Sequence, residues 1–166
     1  MASVTFLGNT LQLSGNAPKV GDAAPDFVLL DNELNPKKLA DFAGKVLVLV
    51  CVPSLDTPVC DMEVRRFNTE AAKLSDKVQI VAVSCDLPFA QARWCGAAGI
   101  KNVSTLSDHR ETSLGLAYGV LLPDLRLLAR AIFVVADGKV AYSQIVPEVT
   151  HEPDYAAALA AIGKLV

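Results

Sequence analysis

No stretch of this chain is long and apolar enough to cross a bilayer. The longest strongly apolar run, Val46 to Val52, stops at Pro53, whereas a spanning helix needs about 20 residues. The N-terminus, Met1-Ala2-Ser3-Val4-Thr5-Phe6, lacks the basic and apolar regions of a secretory leader. A cytoplasmic protein that does not enter membranes is the expectation. Positive charge is also scarce. The net charge is -3, and no basic cluster stands out beyond the pairs Lys37-Lys38 and Arg65-Arg66. Nucleic-acid binding usually needs a basic face, so that role is not expected, and the two pairs read as solvated surface charges. There are two histidines and four cysteines, and the cysteines contain no C-x-x-C pair. Those numbers argue against a structural zinc site or a disulfide scaffold, and neither metal nor cofactor is expected. His109, beside Asp108 and Arg110, and His151, beside Glu152, read as surface loop residues. Aromatics are 6% of the chain; the apolar content is mostly aliphatic, as in an α/β protein with a Val/Leu-rich sheet.

The 166 residues fit one domain spanning 1–166. Val4 to Leu13 alternates around Gly8-Asn9 and predicts a β-hairpin within an N-terminal extension, 1–15. Strands are predicted over 27–30, 46–52, 78–84, 103–106, 130–135 and 139–145. Lys38 to Phe42 predicts one helical turn. Helices are predicted over 58–73, from Pro88 to about Ala97 with Asp86 as cap, over 113–118, and over 154–165. Strand–helix–strand–helix, then a hairpin and a terminal helix, predicts a thioredoxin-like fold: a mixed central sheet flanked by helices, with the N-terminal β-hairpin added.

The chemistry concentrates in Pro53-Ser54-Leu55-Asp56-Thr57-Pro58-Val59-Cys60, which joins a buried strand to a helix. With Thr57 as N-cap, Pro58 falls at N1 and Cys60 at N3. A helix start offers unpaired N–H groups and the positive end of the macrodipole. Both favour thiolate, the reactive form, so Cys60 is a candidate nucleophile; the alternative is a buried, inert cysteine with an ordinary cap. The Thr57 hydroxyl is expected to reach the Cys60 N–H or its sulfur. Pro53, with no N–H to donate, ends the strand's ladder.

Cys95 lies near the end of the second helix, 35 positions after Cys60 (95 − 60). Two such cysteines can form a reversible disulfide if the fold brings them together, and closing a loop of that length stabilises the oxidised chain by about 4 kcal/mol in the chain-entropy model. Cys51, inside an apolar strand, and Cys85, at the end of another, read as small core residues. Arg130 opens a strong β-run. Aimed at Cys60, it would supply a fixed positive charge that lowers a thiol pKa; otherwise it marks a strand boundary.

Together these segments resemble the peroxiredoxins, and within them the thiol peroxidase group, the atypical two-cysteine peroxiredoxins. The resemblance rests on P-S-L-D-T-P-V-C at 53–60, D-L-P-F-A-Q-A-R-W-C-G at 86–96, and Arg130 before its strand. G-N-T at 8–10, G-D-A-A-P-D-F at 21–27 and E-P-D-Y-A-A-A-L at 152–159 extend it over nearly the whole chain. It implies that Cys60 is the peroxidatic cysteine, oxidised to a sulfenic acid, and Cys95 the resolving cysteine, which closes an intramolecular Cys60–Cys95 disulfide. It further implies that Thr57 bonds thiolate and peroxide, Pro53 shields the sulfur from water, and Arg130 stabilises the thiolate and polarises the O–O bond. Thioredoxin as reductant, hydrogen peroxide and organic hydroperoxides as substrates, and a homodimer are also implied. Cys51 and Cys85 match no family role. The two active sulfurs are expected to lie apart in the reduced fold. The competing readings are a peroxide sensor that relays its disulfide to a partner protein and a thioredoxin-fold binding module with inert cysteines.

Overall fold

The computed structural model describes residues 2–166; Met1, first residue of the expected extension, lies outside the described residues. β1 (Ser3–Phe6) and β2 (Asn9–Gln12) pair antiparallel with Phe6 opposite Asn9. The turn is therefore Leu7-Gly8, one residue earlier than expected. Its φ angles of 51° and 82° are those of the turn whose twist matches paired strands.

β3 is only Leu29–Leu30, shorter than the predicted 27–30. The Phe27 N–H is taken by the Asp26 carboxylate and the Val28 N–H by the Ser113 hydroxyl, so neither reaches a neighbouring strand. β4 (Pro36–Lys37) was not expected; the single helical turn follows at Leu39–Phe42 as a 3-10 turn. β5 (Val46–Cys51) is buried at all six positions. Fully burying a Val or Leu side chain contributes about 1.5–3 kcal/mol, which is why this run takes the centre of the sheet. α1 (Pro58–Ala71), β6 (Val78–Ser84), α2 (Pro88–Ala98) and β7 (Val103–Ser107) complete two successive strand–helix–strand units. α3 (Ser113–Ala117) precedes an unexpected small hairpin, β8 (Leu121–Leu122) with β9 (Leu127–Leu128). β10 (Ala131–Ala136) and β11 (Lys139–Ile145) form the predicted hairpin, and α4 (Tyr155–Gly163) is capped by Asp154, whose carboxylate accepts from the Ala157 N–H.

The main sheet has the order β11-β10-β5-β6-β7-β3-β4, with β5, β6 and β7 parallel and the other neighbours antiparallel. α1, α2 and α4 cover one face through Val64, Phe67, Trp94 and Ile162. The other face packs under Leu114 of α3, Tyr118 just after it, the β8–β9 leucines and Val4 of the N-terminal hairpin. The mixed sheet flanked by helices is thus present, with the added hairpin. Among the described residues no helix is long and apolar enough to cross a membrane.

Register decides what meets at the sheet's edge. Cys51, last in β5, pairs with Val83 of β6 and, antiparallel, with Ala131, first in β10. Ser84 pairs with Ser107. The exits of three parallel strands and the entry to β10 therefore share one edge. Arg130 stands just before β10 rather than inside it, at that edge.

Candidate active site

β5 delivers the chain to this edge. The Val52 N–H still donates to Val83, and Pro53, buried, follows with no N–H to continue the ladder. The loop is then clamped. The Asp86 carboxylate accepts from the Ser54 hydroxyl (2.7 Å), the Leu55 N–H (2.8 Å) and the Ser84 hydroxyl (2.7 Å). Asp86 is therefore not the cap of α2. Leu87 holds the N-cap position without a side-chain bond, because the carboxylate is committed to the loop across the sheet edge. Ser84 in turn accepts from the buried amide of Gln91 on α2.

Thr57 is the N-cap of α1 by backbone conformation, with Pro58 at N1 and Cys60 at N3. Its hydroxyl, however, donates to the Ser54 carbonyl at 2.8 Å, so the expected bond to the Cys60 N–H or sulfur is not made. Short polar side chains have several backbone partners in reach, and here the tight loop presents the Ser54 oxygen first. The Thr57 oxygen retains its lone pairs as acceptors.

Cys60 has no solvent exposure and packs in an apolar cluster with Val50, Val52, Leu55 and Val64. Among the described residues one polar group reaches its sulfur: Arg130 Nη2, at 3.4 Å. Arg130 is 2% exposed and is held on two further sides. Its Nε donates to the Val149 carbonyl (2.9 Å) and its Nη1 to Glu63 Oε2 (2.6 Å). Glu63 is one helical turn from Cys60 (i, i+3), on the same inward face. Burial would lower the Arg130 pKa, but the neighbouring Cys60 sulfur and Glu63 carboxylate outweigh it and raise it, so the cation persists. Burial pushes Glu63 the other way, up to about 7, with Arg130 opposing the rise. In this low-dielectric pocket the guanidinium's field on the sulfur is far stronger than in water.

Cys95 does not share this pocket's bonds. Its sulfur lies 3.4 Å from the Thr105 hydroxyl on β7, and the Thr105 hydroxyl donates to Asn32 Oδ1 at 3.1 Å. All four cysteines are free thiols. α2 is nonetheless tied to α1: the Trp94 indole donates to Asp61 (2.8 Å), and Arg93 pairs with Asp56 (3.4 Å). Arg65 and Arg66 are exposed, as expected, with their guanidinium groups over the Trp94 and Tyr155 rings. Cys51 is fully buried, and burial raises its thiol well above the ordinary value. Burial, with the Asp108 charge second, pushes Cys85 up to about 12. Both thiols are poor nucleophiles. His109 is half-buried and His151 exposed. Among the described residues no group of three potential ligands could hold a metal ion.

Arg130 and Cys60 thus meet, Pro53 and Thr57 sit in the same clamped loop, and Cys95 points to other partners. Sequence reasoning missed Glu63, the Val149 carbonyl and the Thr105–Asn32 pair, and it read Asp86 only as a helix cap. Glu63 had a signal: a carboxylate at i+3 from Cys60, within the apolar stripe of Val64 and Phe67.

The family model described as Redoxin matches residues 19–159. A thiol peroxidase of Bacillus subtilis (strain 168) is 54% identical over 167 aligned residues, covering all of this chain and 99% of that protein. The crystal structure of a peroxiredoxin-like protein from Aquifex aeolicus superposes with a TM-score of 0.93 at 41% identity, covering 100% of this chain and 98% of the other. A thiol peroxidase from Chromobacterium violaceum shares the fold, with a TM-score of 0.87 at 22% identity over 98% of this chain and 95% of its own.

Proposed function

This chain belongs to the Redoxin family and, within it, to the thiol peroxidase group of the peroxiredoxins; from that membership we propose that it reduces hydrogen peroxide and organic hydroperoxides through Cys60. The observation that carries this reading is a buried cysteine in the first turn of a helix with a buried guanidinium 3.4 Å from its sulfur. The Cys60 thiolate attacks one peroxide oxygen. The O–O bond breaks, the other oxygen leaves as water or alcohol after taking a proton, and Cys60 becomes a sulfenic acid. Arg130 supplies charge to the thiolate and then to the departing oxygen; a preorganised donor of this kind is worth about 3–4 kcal/mol. The Thr57 hydroxyl already donates to the Ser54 carbonyl, so toward the peroxide it accepts from the O–H and orients it. Pro53, buried beside the loop, keeps water from the sulfur.

The Cys95 sulfur then attacks the Cys60 sulfur. An S–S bond forms, and hydroxide leaves as water with the Cys95 proton. Resolution matters because an unresolved sulfenic acid oxidises onward irreversibly. Thioredoxin, a dithiol, returns both cysteines to thiols and leaves oxidised itself. Free thiols throughout suit a reducing cytoplasm, and we assign a homodimer on the family resemblance. The test is one equivalent of hydrogen peroxide followed by non-reducing mass analysis. A Cys60–Cys95 crosslink within one chain, and steady turnover with thioredoxin, are expected. Peroxide consumption that survives Cys60→Ser overturns the proposal.

A further inference from the structure

Among the described residues the Cys95 sulfur has one polar contact, the Thr105 hydroxyl, and distance alone leaves either atom as donor. The next bond along removes the ambiguity. Thr105 has a single hydroxyl proton, and it is spent on Asn32 Oδ1. Cys95 S–H is therefore the donor to Thr105. The chain Cys95 S–H to Thr105 O–H to Asn32 pins the sulfur to β7, next to an open cavity of about 400 Å³ lined by Asn32, Gln79 and Ile100. N-terminal to Cys95 the helix is tied to α1 by Trp94 and Arg93, but the turn that follows carries no side-chain hydrogen bond. The Cys95 carbonyl accepts from Gly99 and Ile100 to end α2, and the intervening residues are Gly96, Ala97 and Ala98. Gly96 and Ala97 are exposed, and a Cβ at Gly96 would touch nothing. A glycine there costs about 1 kcal/mol of helix stability relative to alanine.

We propose that Thr105 and Asn32 are positioning residues that anchor the Cys95 thiol to β7 and so set the rate at which the Cys60–Cys95 disulfide forms. The inference rests on Cys95 being the resolving cysteine. The sulfur has to break its bond to Thr105 before it can reach Cys60, and the last turn of α2 yields more readily than the anchor. The proton that now sits on that bond is the one that leaves with the hydroxyl of the sulfenic acid as water.

The experiment is stopped-flow mixing of the reduced full-length protein with hydrogen peroxide, followed by the fluorescence of Trp94, the residue before Cys95. Oxidation of Cys60 gives a phase proportional to peroxide, and resolution a phase independent of it. Thr105→Val removes the anchor with little change of shape, and the second phase is expected to quicken about two- to fivefold, the scale of one modest net hydrogen bond. The peroxide concentration that drives half of Cys60 to sulfinic acid rises by the same factor, since resolution competes with further oxidation. Thr105→Ser and Asn32→Asp keep the hydroxyl and its acceptor and hold the wild-type second phase. Asn32→Ala, at an exposed position, quickens it without disturbing the core. Alkylation of Cys95 by iodoacetamide, measured on the Cys60→Ser background, speeds up in Thr105→Val. An unchanged or slower second phase in both Thr105→Val and Asn32→Ala overturns the anchor. A wild-type protein that forms no Cys60–Cys95 disulfide overturns instead the reading of Cys95 as the resolving residue.

Discussion

Replacing Arg130 with Met separates what the guanidinium does for the fold from what it does for Cys60. Arg130 and Glu63 are both buried, so the substitution leaves a carboxylate with no counter-charge; breaking such a pair costs about 3–5 kcal/mol. That cost depends on pH. In the fold, burial has already raised Glu63 from 4.5 to about 7 against the pull of Arg130. A carboxyl raised in this way stabilises the fold in its protonated form, fully below its unfolded value, and that stabilisation is lost as pH rises through the folded value. Without Arg130 the folded value climbs further. The variant goes on losing stability where the wild type has stopped, by up to about 1.4 kcal/mol per pH unit. Urea midpoints should nearly coincide at about pH 5 and separate increasingly above about pH 7. Arg130→Met/Glu63→Gln removes the stranded charge as well, so stability returns. Peroxide reduction does not: it stays about 10²–10³-fold down, the scale of one lost preorganised donor. Chemical denaturation across this pH range and stopped-flow peroxide consumption read the two effects. A double variant that regains peroxide reduction, or a single variant whose gap to wild type is the same at every pH, refutes the reasoning.

Two further substitutions probe the frame around the site. Asp86→Ala strands the Leu55 N–H and releases Ser54; a loss of about 2–3 kcal/mol is expected, with faster amide exchange at Leu55 and slower Cys60 oxidation, and unaltered Leu55 protection contradicts the clamp. Asp108 is pushed up from 3.8 to about 6 by burial, against the N–H groups of Gly115 and Leu114. The wild type therefore loses stability as pH rises through that window. Asp108→Asn should flatten the dependence between about pH 4 and 6, and an unchanged slope in denaturant midpoints counts against it.

The strand-to-helix turn was legible because its determinants are local: an apolar run, Pro53 to end it, and Pro58 to open the helix. Arg130 could be suspected but not placed. Its approach to Cys60 requires β10 to insert beside β5 in antiparallel register, and no local pattern encodes that strand order. Both side-chain caps read from the sequence, Thr57 and Asp86, went to other partners. A cap rule considers only the helix that follows, whereas the loop at 53–57 competes for the same oxygens. Glu63 was hidden by habit, since a charged residue on a helix is ordinarily solvated; the i, i+3 spacing from Cys60 put it inward. Asn32 and Thr105 are 73 positions apart, and nothing short of the fold joins them.

The N-terminal hairpin also bears on the sulfur, although it lies some 50 positions earlier in the chain. The Thr5 N–H donates to Pro147, and the Val149 N–H donates back to Thr5, each at 2.8 Å. Between them, the Glu148 carboxylate accepts from the Gly8 N–H and the Thr5 hydroxyl. The N–H groups of Thr150 and Gly8 hold that carboxyl down at about 2, so the clamp stays ionised well into acid. The segment it fixes carries the Val149 carbonyl, and that carbonyl fixes Arg130 Nε. A guanidinium held at Nε and Nη1 cannot swing, and only Nη2 is left to face Cys60. The aim of the charge is therefore set from two directions, by Glu63 on the helix that carries Cys60 and by a carbonyl braced from the opposite end of the chain. Loss of either brace leaves the positive charge in place but removes its fixed direction, and a preorganised donor depends on direction as much as on charge.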